Sequence, residues 1–201
     1  MYDMKDDTNC VVVSGRVIRT KELKDNRALI TLHQKKTRDT YVRFICDKKL
    51  LPEFKLRDRL TITGHVIQTV LYAGKGRIDS QYFEASKVEL TKTPVEEEFG
   101  ITGKFYGEPI NKIIVSGRLT AVTKKNGWMR YSVLAPYKNS KGELKLDNVI
   151  FFAQKEPDRP LTLSNGDRLC IVGHVSSAKK QIRGKDMYYE DMLADDVAKV
   201  E

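Results

Sequence analysis

Positively charged side chains cluster in predicted loops and hairpin tips of this chain, and flat aromatic rings lie close to them in the sequence. An ammonium or guanidinium group neutralises a phosphate, and a flat ring stacks on a base. The clustered cations are Lys35, Lys36, Arg38, Lys75, Arg77, Lys124, Lys125, Lys179, Lys180, Arg183 and Lys185, and two of the nearby rings are Tyr72 and Trp128. The combination predicts a surface for a single polynucleotide strand. Lysine at a hairpin tip also serves solubility, and Trp128 is equally compatible with capping a barrel core.

The chain contains the same β-rich pattern twice. The block Asn9–Val17 recurs as Asn111–Leu119 at an offset of 102 residues, and the block Asp58–Val66 recurs as Asp167–Val175 at an offset of 109 residues. Matched blocks in the same order indicate an internal duplication, and each copy is long enough to fold as a domain. The expected bounds are 1–92 for the first domain, 93–110 for a connector and 111–201 for the second domain.

The positive charge of the chain belongs to the repeats. The net charge is +9, and residues 9–92 carry 18 Lys and Arg against 9 Asp and Glu. Residues 111–201 carry 16 against 11, whereas the leader 1–8 and the connector 93–110 are acidic. A basic surface is often only a solvated one, but basic domains joined by acidic segments favour a polyanionic partner.

Alternating apolar residues predict five strands in each repeat. They lie near 10–20, 28–32, 41–46, 60–66 and 82–90 in the first repeat, and near 111–121, 128–135, 147–153, 167–176 and 187–200 in the second. The hairpin between the fourth and fifth strands has its expected tip at 72–80 in the first repeat and at 178–185 in the second. Between the third and fourth strands we expect a short helix near 48–55, and an irregular segment around Pro157 and Pro160.

This order of elements is that of the OB-fold, a small Greek-key barrel of five strands. We therefore predict an all-β chain of two tandem OB-fold five-stranded barrels, each with a short helix or irregular segment between strands 3 and 4. Phe44 and Phe151, which alternate with polar residues on the third strands, are expected in the cores. A small barrel or sandwich that binds no ligand is the alternative, because the number of strands does not fix their topology.

Four motifs of the second repeat carry a family resemblance. They are the opening strand Asn111–Leu119, the apolar pair of strands ending in Val149–Phe152, the block Gly166–Val175 and the aromatic strand around Tyr188–Glu190. In this order they resemble the bacterial and phage single-stranded DNA-binding protein family. The first repeat matches more loosely, with Cys10 at the position of the family's lysine. The resemblance implies non-enzymatic, largely sequence-independent binding of single-stranded DNA in replication, recombination or mobile-element or phage DNA processing.

The resemblance also implies which residues meet the DNA. In the family, alternate residues of the third strand face the ligand, and the matching positions here are Tyr41, Arg43 and Ile45 in the first repeat and Asn148, Ile150 and Phe152 in the second. The family's two stacking tryptophans fall on Leu146 and near Lys179 in the second repeat, so charge replaces stacking there. In the first repeat Tyr72 stands at one of these positions.

The resemblance further implies partners. Family members pair OB domains through the opening strand, and four such domains usually cooperate, so a homodimer of this chain with four OB domains is expected by analogy. Replication or mobile-element proteins are further expected partners.

Other classes of function find little support in the sequence. No phosphate-binding P-loop, nucleophile elbow, zinc-protease helix or Cys-x-x-Cys motif occurs, so we expect neither an enzyme nor a cofactor. His65 and His174 recur at one repeat position, but no carboxylate or thiol stands at ligand spacing in the local sequence, and no metal is expected. The three cysteines are expected to be reduced core thiols of a cytoplasmic protein, and no apolar run suits a membrane span.

Two alternatives stay open. The pair of OB domains could serve as a protein-interaction scaffold in a replication or conjugation complex, with weak or no nucleic-acid binding; the absent tryptophans favour this hypothesis. An RNA-binding OB protein is the other, because stacking and charge alone do not distinguish DNA from RNA.

Overall fold

The computed structural model of the chain describes residues 7–35, 39–73, 76–91, 109–139, 141–154, 162–182 and 185–200. At residues 70–73, 76–79, 178–182 and 185–189 it describes the backbone only. The predicted connector at 93–110 lies outside these ranges except for its last two residues. No helix in the described ranges has the length and apolar character that a bilayer crossing requires.

Ten strands account for most of the described chain. In the first repeat they are β1 (Asn9–Glu22), β2 (Arg27–Lys35), β3 (Asp39–Asp47), β4 (Arg59–Ala73) and β5 (Gly76–Leu90). In the second repeat they are β6 (Asn111–Lys125), β7 (Trp128–Lys138), β8 (Leu144–Ala153), β9 (Arg168–Ile182) and β10 (Lys185–Val200). Buried and less buried residues alternate along β2 and β3, as the period of two in a half-buried strand requires.

The strands of the first repeat close into a barrel. Pairings run β1–β2, β2–β3, β3–β5, β5–β4 and β4–β1, and all are antiparallel except the short parallel pairing of β3 with β5. The interior holds Val11, Val13, Val17, Ile30, Leu32, Phe44, Leu60 and Ile62, each fully buried. Burying an apolar side chain of this size contributes roughly 1.5–3 kcal/mol, so this interior is the main source of stability.

The strands of the second repeat are paired in the same order. β6 pairs with β7 and β9, β7 with β8, and β9 with β10, while β8 meets β10 in a parallel bridge at Phe152 and Leu193. Phe151 is fully buried, as is Phe44 in the first repeat, so both core predictions are confirmed. The prediction of an all-β chain with a closed five-stranded barrel is confirmed as well.

The long hairpins reach further than the sequence suggested. β4 and β5 stay paired up to Ala73 and Gly76, and β9 and β10 stay paired up to Ile182 and Lys185. The predicted tip segments are therefore mostly strand, because continued pairing satisfies backbone groups that a loop would leave to solvent. Between β3 and β4 the structure has one 3-10 turn, Lys48–Leu50, and Oδ1 of Asp47 accepts a hydrogen bond from the backbone N–H of Lys49.

The cysteine prediction holds only in part. Cys46 is fully buried, and burial raises the pKa of its thiol to about 12. Cys10 and Cys170 are only half-buried. Both alternate with core residues on their strands and therefore point away from the interior.

The two repeats are joined through their opening strands. β1 pairs antiparallel with β6, and the register places Val11 opposite Ile113, its own counterpart in the second repeat. Hydrogen bonds flank this pairing symmetrically: Ser14 binds the backbone of Ile110 at 2.8 Å, and Ser116 binds the backbone of Thr8 at 2.7 Å. The repeats are thus related by an approximate two-fold axis that passes between Val11 and Ile113.

A glycine in the opening strand of each repeat, Gly15 in β1 and Gly117 in β6, allows the following strand to approach closely. A Cβ added at Gly117 would overlap the carbonyl oxygen of Leu134, whereas one added at the equivalent Gly15 would lie 3.0 Å from the carbonyl oxygen of His33. The second repeat is therefore the more tightly packed of the two at this position.

We expect Gly117→Ala to lower the free energy of unfolding by about 3 kcal/mol, because the backbone must shift to relieve the overlap, and Gly15→Ala to lower it by about 1 kcal/mol. Urea titration followed by circular dichroism measures both. Equal losses in the two variants would contradict the difference in packing.

Candidate nucleic-acid interface

The outward face of β6, β7 and β8 brings cations and rings into adjacent rows. The register aligns Thr123, Arg130 and Phe152 in one row across the three strands, and Lys125 lies opposite Trp128 at the next outward position. Neighbours directly opposite on one face lie about 4.5–5.5 Å apart at Cβ. The rings of Trp128 and Phe152 and the charges of Lys125 and Arg130 therefore form one continuous surface, named here the β7 face.

A tight hairpin turn positions the end of the β7 face. Asn126 and Gly127 connect β6 to β7 with φ values of 52° and 77°, and an Asn-Gly pair with positive φ at both positions is the preferred two-residue hairpin turn. The turn places Trp128 at the start of β7, where 37% of its surface is exposed. Trp128 is not part of the buried core, which favours a stacking role over core capping.

The charges of the β7 face are accessible. Lys124 and Lys125 are exposed, and Phe152 and Arg130 are half-buried. In the described part of the chain, neither Lys125 nor Arg130 has an ion-pair partner. A cation without an internal partner beside an accessible ring is the arrangement that suits a phosphate and its base.

The first repeat has the equivalent face on β1, β2 and β3. The register aligns Arg16, His33 and Tyr41 in one row, and Arg19, Thr31 and Arg43 in the next. The rings of His33 and Tyr41 are stacked with centroids 5.0 Å apart, and Asp39 lies 2.8 Å from Nε2 of His33. This face is therefore more strongly tied by internal contacts than the β7 face.

Arg43 is held by the other repeat. Its backbone N–H donates to Oε1 of Glu190 at 2.7 Å, its Nε donates to the same oxygen at 3.2 Å, and its Nη2 donates to Oε2 at 3.0 Å. Glu190 is almost fully buried, with 8% of its side chain exposed, and Arg43 is 42% exposed. The guanidinium of Arg43 is thus partly neutralised, although its contact with a ligand stays a prediction.

The second repeat has the matching contact with different chemistry. The backbone N–H of Ile150 donates to Oε1 of Gln81 at 2.8 Å, and the side-chain amide of Gln81 donates to the carbonyl oxygen of Ile150 at 3.1 Å. Ile150 is also only 6% exposed, so the expectation that it faces a ligand is wrong. Gln81 and Glu190 occupy equivalent positions, each two residues before a buried core residue of its strand.

These contacts exist because the parallel pairing that closes each repeat is short. This pairing, β3 with β5 in the first repeat and β8 with β10 in the second, is named here the seam. β3 pairs with β5 only at Phe44 and Ile45, so the backbone N–H of Arg43 has no ladder partner on that side. A buried N–H group must find an acceptor, and the long hairpin of the other repeat supplies one. The backbone N–H of Tyr41 likewise donates to Oγ of Ser177 at 2.8 Å. In the second repeat the direction is reversed, because the backbone N–H of Gln68 on the hairpin strand β4 donates to Oδ2 of Asp147 on β8 at 3.1 Å.

The pKa of Glu190 reflects this burial. Desolvation raises its pKa above the ordinary value of 4.5, although the hydrogen bonds and charge of Arg43 act in the opposite direction. The charged form is therefore less favourable in the folded chain than in water. A neutral amide, which Gln81 provides in the other repeat, serves the same backbone contact without this penalty.

The histidines also meet residues that the local sequence did not reveal. The ring of His65 stacks on Tyr137 of the other repeat with centroids 5.2 Å apart, and Glu84 lies 3.8 Å from its Nε2. Burial lowers the pKa of His65. His174 lies 2.9 Å from Asp195. Among the described residues, no group of three or more His, Cys, Asp and Glu side chains is placed to hold a metal ion.

The remaining predicted contacts are placed as follows. Lys35 ends β2 and is exposed, and Asn148 is half-buried on β8, where its amide oxygen accepts from Thr120. The backbones of Tyr72, Arg77, Lys179, Lys180 and Lys185 lie in the long hairpins. Lys36, Arg38, Lys75 and Arg183 lie outside the described residues. All of these contacts stay predictions.

Sequence reasoning missed Arg16, Arg19 and Arg130. Each stands on a strand rather than in a loop, so none of them belongs to the clusters of charge that are visible in the sequence. Their alternation with core residues was a usable signal, because Arg130 precedes the buried Tyr131 and Arg16 precedes the buried Val17. A charged residue at an outward strand position beside an aromatic neighbour is as good a candidate as one in a loop.

The fold is similar to that of the single-stranded DNA-binding protein from Thermus aquaticus. The wild-type crystal structure is 12% identical, has a TM-score of 0.60, and is matched over 97% of this chain and 94% of that chain. A deletion mutant of that protein is 12% identical, has a TM-score of 0.63, and is matched over 98% of this chain and 97% of the mutant chain. At this identity the likeness shows the fold alone. No protein-family model and no curated protein sequence matches the chain.

We expect Glu190→Ala to lower the free energy of unfolding by about 2 kcal/mol, because it leaves the N–H and guanidinium of Arg43 without their acceptor. Glu190→Gln keeps an acceptor and should cost less than half as much. Chemical denaturation at pH 7 measures both, and equal losses would show that the acceptor is unimportant.

The pH dependence of this contact follows from the raised pKa of Glu190. The folded chain retains the proton better than the unfolded chain, so the stability contributed by this group falls as pH rises above 4.5. The stability of the wild type relative to Glu190→Gln should therefore decline across that window and become constant above it. Denaturation curves from pH 4 upward test this, and a relative stability that increases with pH would reverse the assigned sign.

Proposed function

We propose that the chain is a non-enzymatic, largely sequence-independent binder of single-stranded DNA, built from two tandem OB-folds. The β7 face carries the proposal, because it combines accessible rings with cations that have no internal partner among the described residues. Each stacked base contributes ~1–3 kcal/mol, and each neutralised phosphate adds a salt-dependent gain. The expected setting is replication, recombination or mobile-element or phage DNA processing.

The architecture supports the same proposal. β6–β10 repeat the pairing order of the closed barrel β1–β5, as a tandem pair of OB-folds requires. The protein from Thermus aquaticus that has a similar fold along its whole length is named for binding single-stranded DNA. The basic excess of both repeats is consistent with a polyanionic partner.

A protein-interaction scaffold is the second candidate, and the apolar start of β8 favours it. Leu144 is 52% exposed and Leu146 is 41% exposed on the outward side of this strand. Exposed apolar side chains of this size suit a protein partner as well as a base. Binding of oligo-dT at low salt separates the candidates, because a pure scaffold does not bind it.

Assembly of two chains into a four-domain dimer is also proposed, by analogy with related proteins. The pairing of β1 with β6 already uses both opening strands within one chain, so a dimer must form through another surface. Size-exclusion chromatography with light scattering tests this, and a monomer at micromolar concentration counts against it.

Trp128 offers a direct probe, because it is the only tryptophan of the chain. We expect oligo-dT to quench its fluorescence, and Trp128→Ala or Phe152→Ala to lower the binding free energy by about 1–3 kcal/mol at every salt concentration. Binding of the Trp128→Ala variant is followed by fluorescence anisotropy of labelled oligo-dT. Unchanged affinity in both variants would place the site elsewhere.

The cations of the β7 face should determine the salt dependence. Replacing Lys125 and Arg130 together by alanine should reduce the slope of log K against log salt by roughly 1.4, because each phosphate of a single strand that is no longer neutralised lowers the slope by about 0.7. Lys55→Ala with Lys87→Ala removes the same charge from other surfaces and serves as the control. An equal change of slope in the control would show that the salt dependence comes from net charge and not from the β7 face.

A further inference from the structure

A cavity of about 620 Å³ lies where the first repeat meets the end of β7, and residues of both repeats line it. Arg27 of β2, His65 of β4 and Glu84 of β5 belong to the first repeat. Lys138, the last residue of β7, belongs to the second. Small-molecule sites in proteins usually have volumes of about 300–1,000 Å³. The cavity is therefore large enough for a ligand of the size of a nucleotide.

Three polar groups of this lining form no hydrogen bond with the described part of the chain. Nε of Arg27 and Nε2 of His65 are both buried and have no hydrogen-bond partner there. The carboxylate of Glu84, whose side chain is 21% exposed, accepts no hydrogen bond from the described residues and lies 3.8 Å from Nε2 of His65. Buried polar groups are nearly always hydrogen-bonded, so each exception needs an explanation. Three exceptions at one cavity indicate a polar ligand.

Arg27 and Glu84 lie within electrostatic range of each other. Burial raises the pKa of Glu84, and the charge of Arg27 acts in the opposite direction. Nη2 of Arg27 also lies 3.6 Å from Oδ2 of Asp25, but the side chain of Asp25 is 82% exposed and the contact does not involve Nε. Solvent weakens an ion pair of this kind. The cavity thus places a hydrogen-bond donor near a carboxylate.

The fold does not require a carboxylate at the position of Glu84. Glu84 lies opposite His65 on the paired hairpin strands of the first repeat, and Leu193 lies opposite His174 at the equivalent position of the second. Leu193 is half-buried, and the same strands pair around it. Removing a carboxylate from water costs free energy, whereas a half-buried leucine carries no such cost. Glu84 is therefore better explained by binding than by folding.

The cavity continues the predicted ligand face of the first repeat. Tyr41, Arg43 and Ile45 are the β3 residues for which the sequence predicts DNA contact, and Asp47 is the next position on the same side of this strand. Asp47 lines the cavity. Ile45 lies opposite Glu84 in the short pairing of β3 with β5. A single strand that follows this face can therefore place a base in the cavity.

Guanine is the DNA base whose hydrogen-bonding edge matches these groups. Its Watson–Crick edge carries two neighbouring N–H donors, at N1 and N2, beside the acceptor O6, and no other DNA base has two neighbouring donors on this edge. An ionised carboxylate only accepts hydrogen bonds, and it has two oxygens to do so, whereas arginine only donates. The carboxylate of Glu84 therefore suits N1 and N2, and Nε of Arg27 suits O6.

We propose that this cavity binds a guanine base, with Glu84 accepting from N1–H and N2–H and Arg27 donating to O6. The exposed Lys49 and Lys138, which also line the cavity, supply charge for the attached phosphate. A guanine of the bound single strand as ligand rests on the proposed function, whereas a free guanine nucleotide does not. In the first case one base-reading cavity adds a local preference to an otherwise sequence-independent surface.

NMR titration with 5′-GMP and 5′-AMP tests the cavity without DNA. The wild type should bind GMP about tenfold more tightly than AMP, because adenine has no pair of neighbouring donors for the carboxylate. Glu84→Gln should reduce this ratio below about twofold, because the amide replaces one acceptor by a donor. Glu89→Gln removes the same charge from an exposed side chain of the same strand and should leave the ratio unchanged. A GMP preference that persists in Glu84→Gln overturns the proposal.

Glu84→Leu controls for folding, because it introduces the residue that the second repeat has at this position. It should have a thermal midpoint no lower than that of the wild type and should show no preference for GMP. If Glu84→Gln does not fold, this variant takes its place in the titration. A Glu84→Leu variant that prefers GMP as the wild type does contradicts the assigned contact.

A single guanine in oligo-dT distinguishes the two sources of the base. If the strand supplies it, oligo-dT with one central dG should bind the wild type about fivefold more tightly than plain oligo-dT, and Glu84→Gln should lose this gain. A preference for GMP without a gain from dG assigns the cavity to a free nucleotide. Guanine preferred in neither experiment, as expected of a cavity that holds only water, overturns the proposal.

Plain oligo-dT separates this proposal from the proposed function, because it contains no guanine. If it does not bind while GMP is preferred over AMP, the proposed function fails and the guanine site stands. If it binds and guanine is preferred in neither experiment, the guanine site fails alone.

Discussion

The backbone pairing of β1 with β6 is the contact on which the rest of the arrangement depends. Because Val11 lies opposite its own counterpart Ile113, the pairing sets an approximate two-fold axis. The axis brings the long hairpin of each repeat against the third strand of the other. It also holds Thr8 beside Ser116 and Ile110 beside Ser14, which fixes the segments that enter each repeat. A single register of hydrogen bonds therefore decides which side chains can meet across the junction.

The two repeats use this common geometry with different chemistry. The seam of the first repeat is bound by the buried carboxylate Glu190, and that of the second by the amide of Gln81. The difference follows the strand that is bound, because Arg43 provides a charge and Ile150 does not. Both repeats thus have an acceptor from the other repeat, and one acceptor is a carboxylate whereas the other is a neutral amide.

Much of the fold could be predicted from the sequence, because its signals are local. The period of two in the strands identified all ten of them, and strand alternation placed Phe44 and Phe151 in the core. The contact of Ile150 with Gln81 could not be predicted, because the two residues belong to different repeats. The length of the hairpins was also missed, since glycine and lysine weaken a strand pattern without preventing backbone pairing.

The candidate site was predictable to a smaller extent. Clusters of lysine are visible along the chain, but Arg130 joins Trp128 and Phe152 only through the register of β6, β7 and β8. Arg118 and Arg168 are similarly far apart in the sequence, and they become neighbours only through the register of β6 with β9. Contacts of this kind depend on which strands are neighbours, and composition carries no information about that.

The two-fold axis has a consequence for any ligand with a direction. Rotation by 180° reverses every path that runs perpendicular to the axis, so equivalent rows on the two repeats have opposite sense. A polynucleotide has distinct 5′ and 3′ ends. A strand that meets both repeats with the same polarity must therefore turn back on itself between them, whereas a straight strand meets the second repeat in reverse.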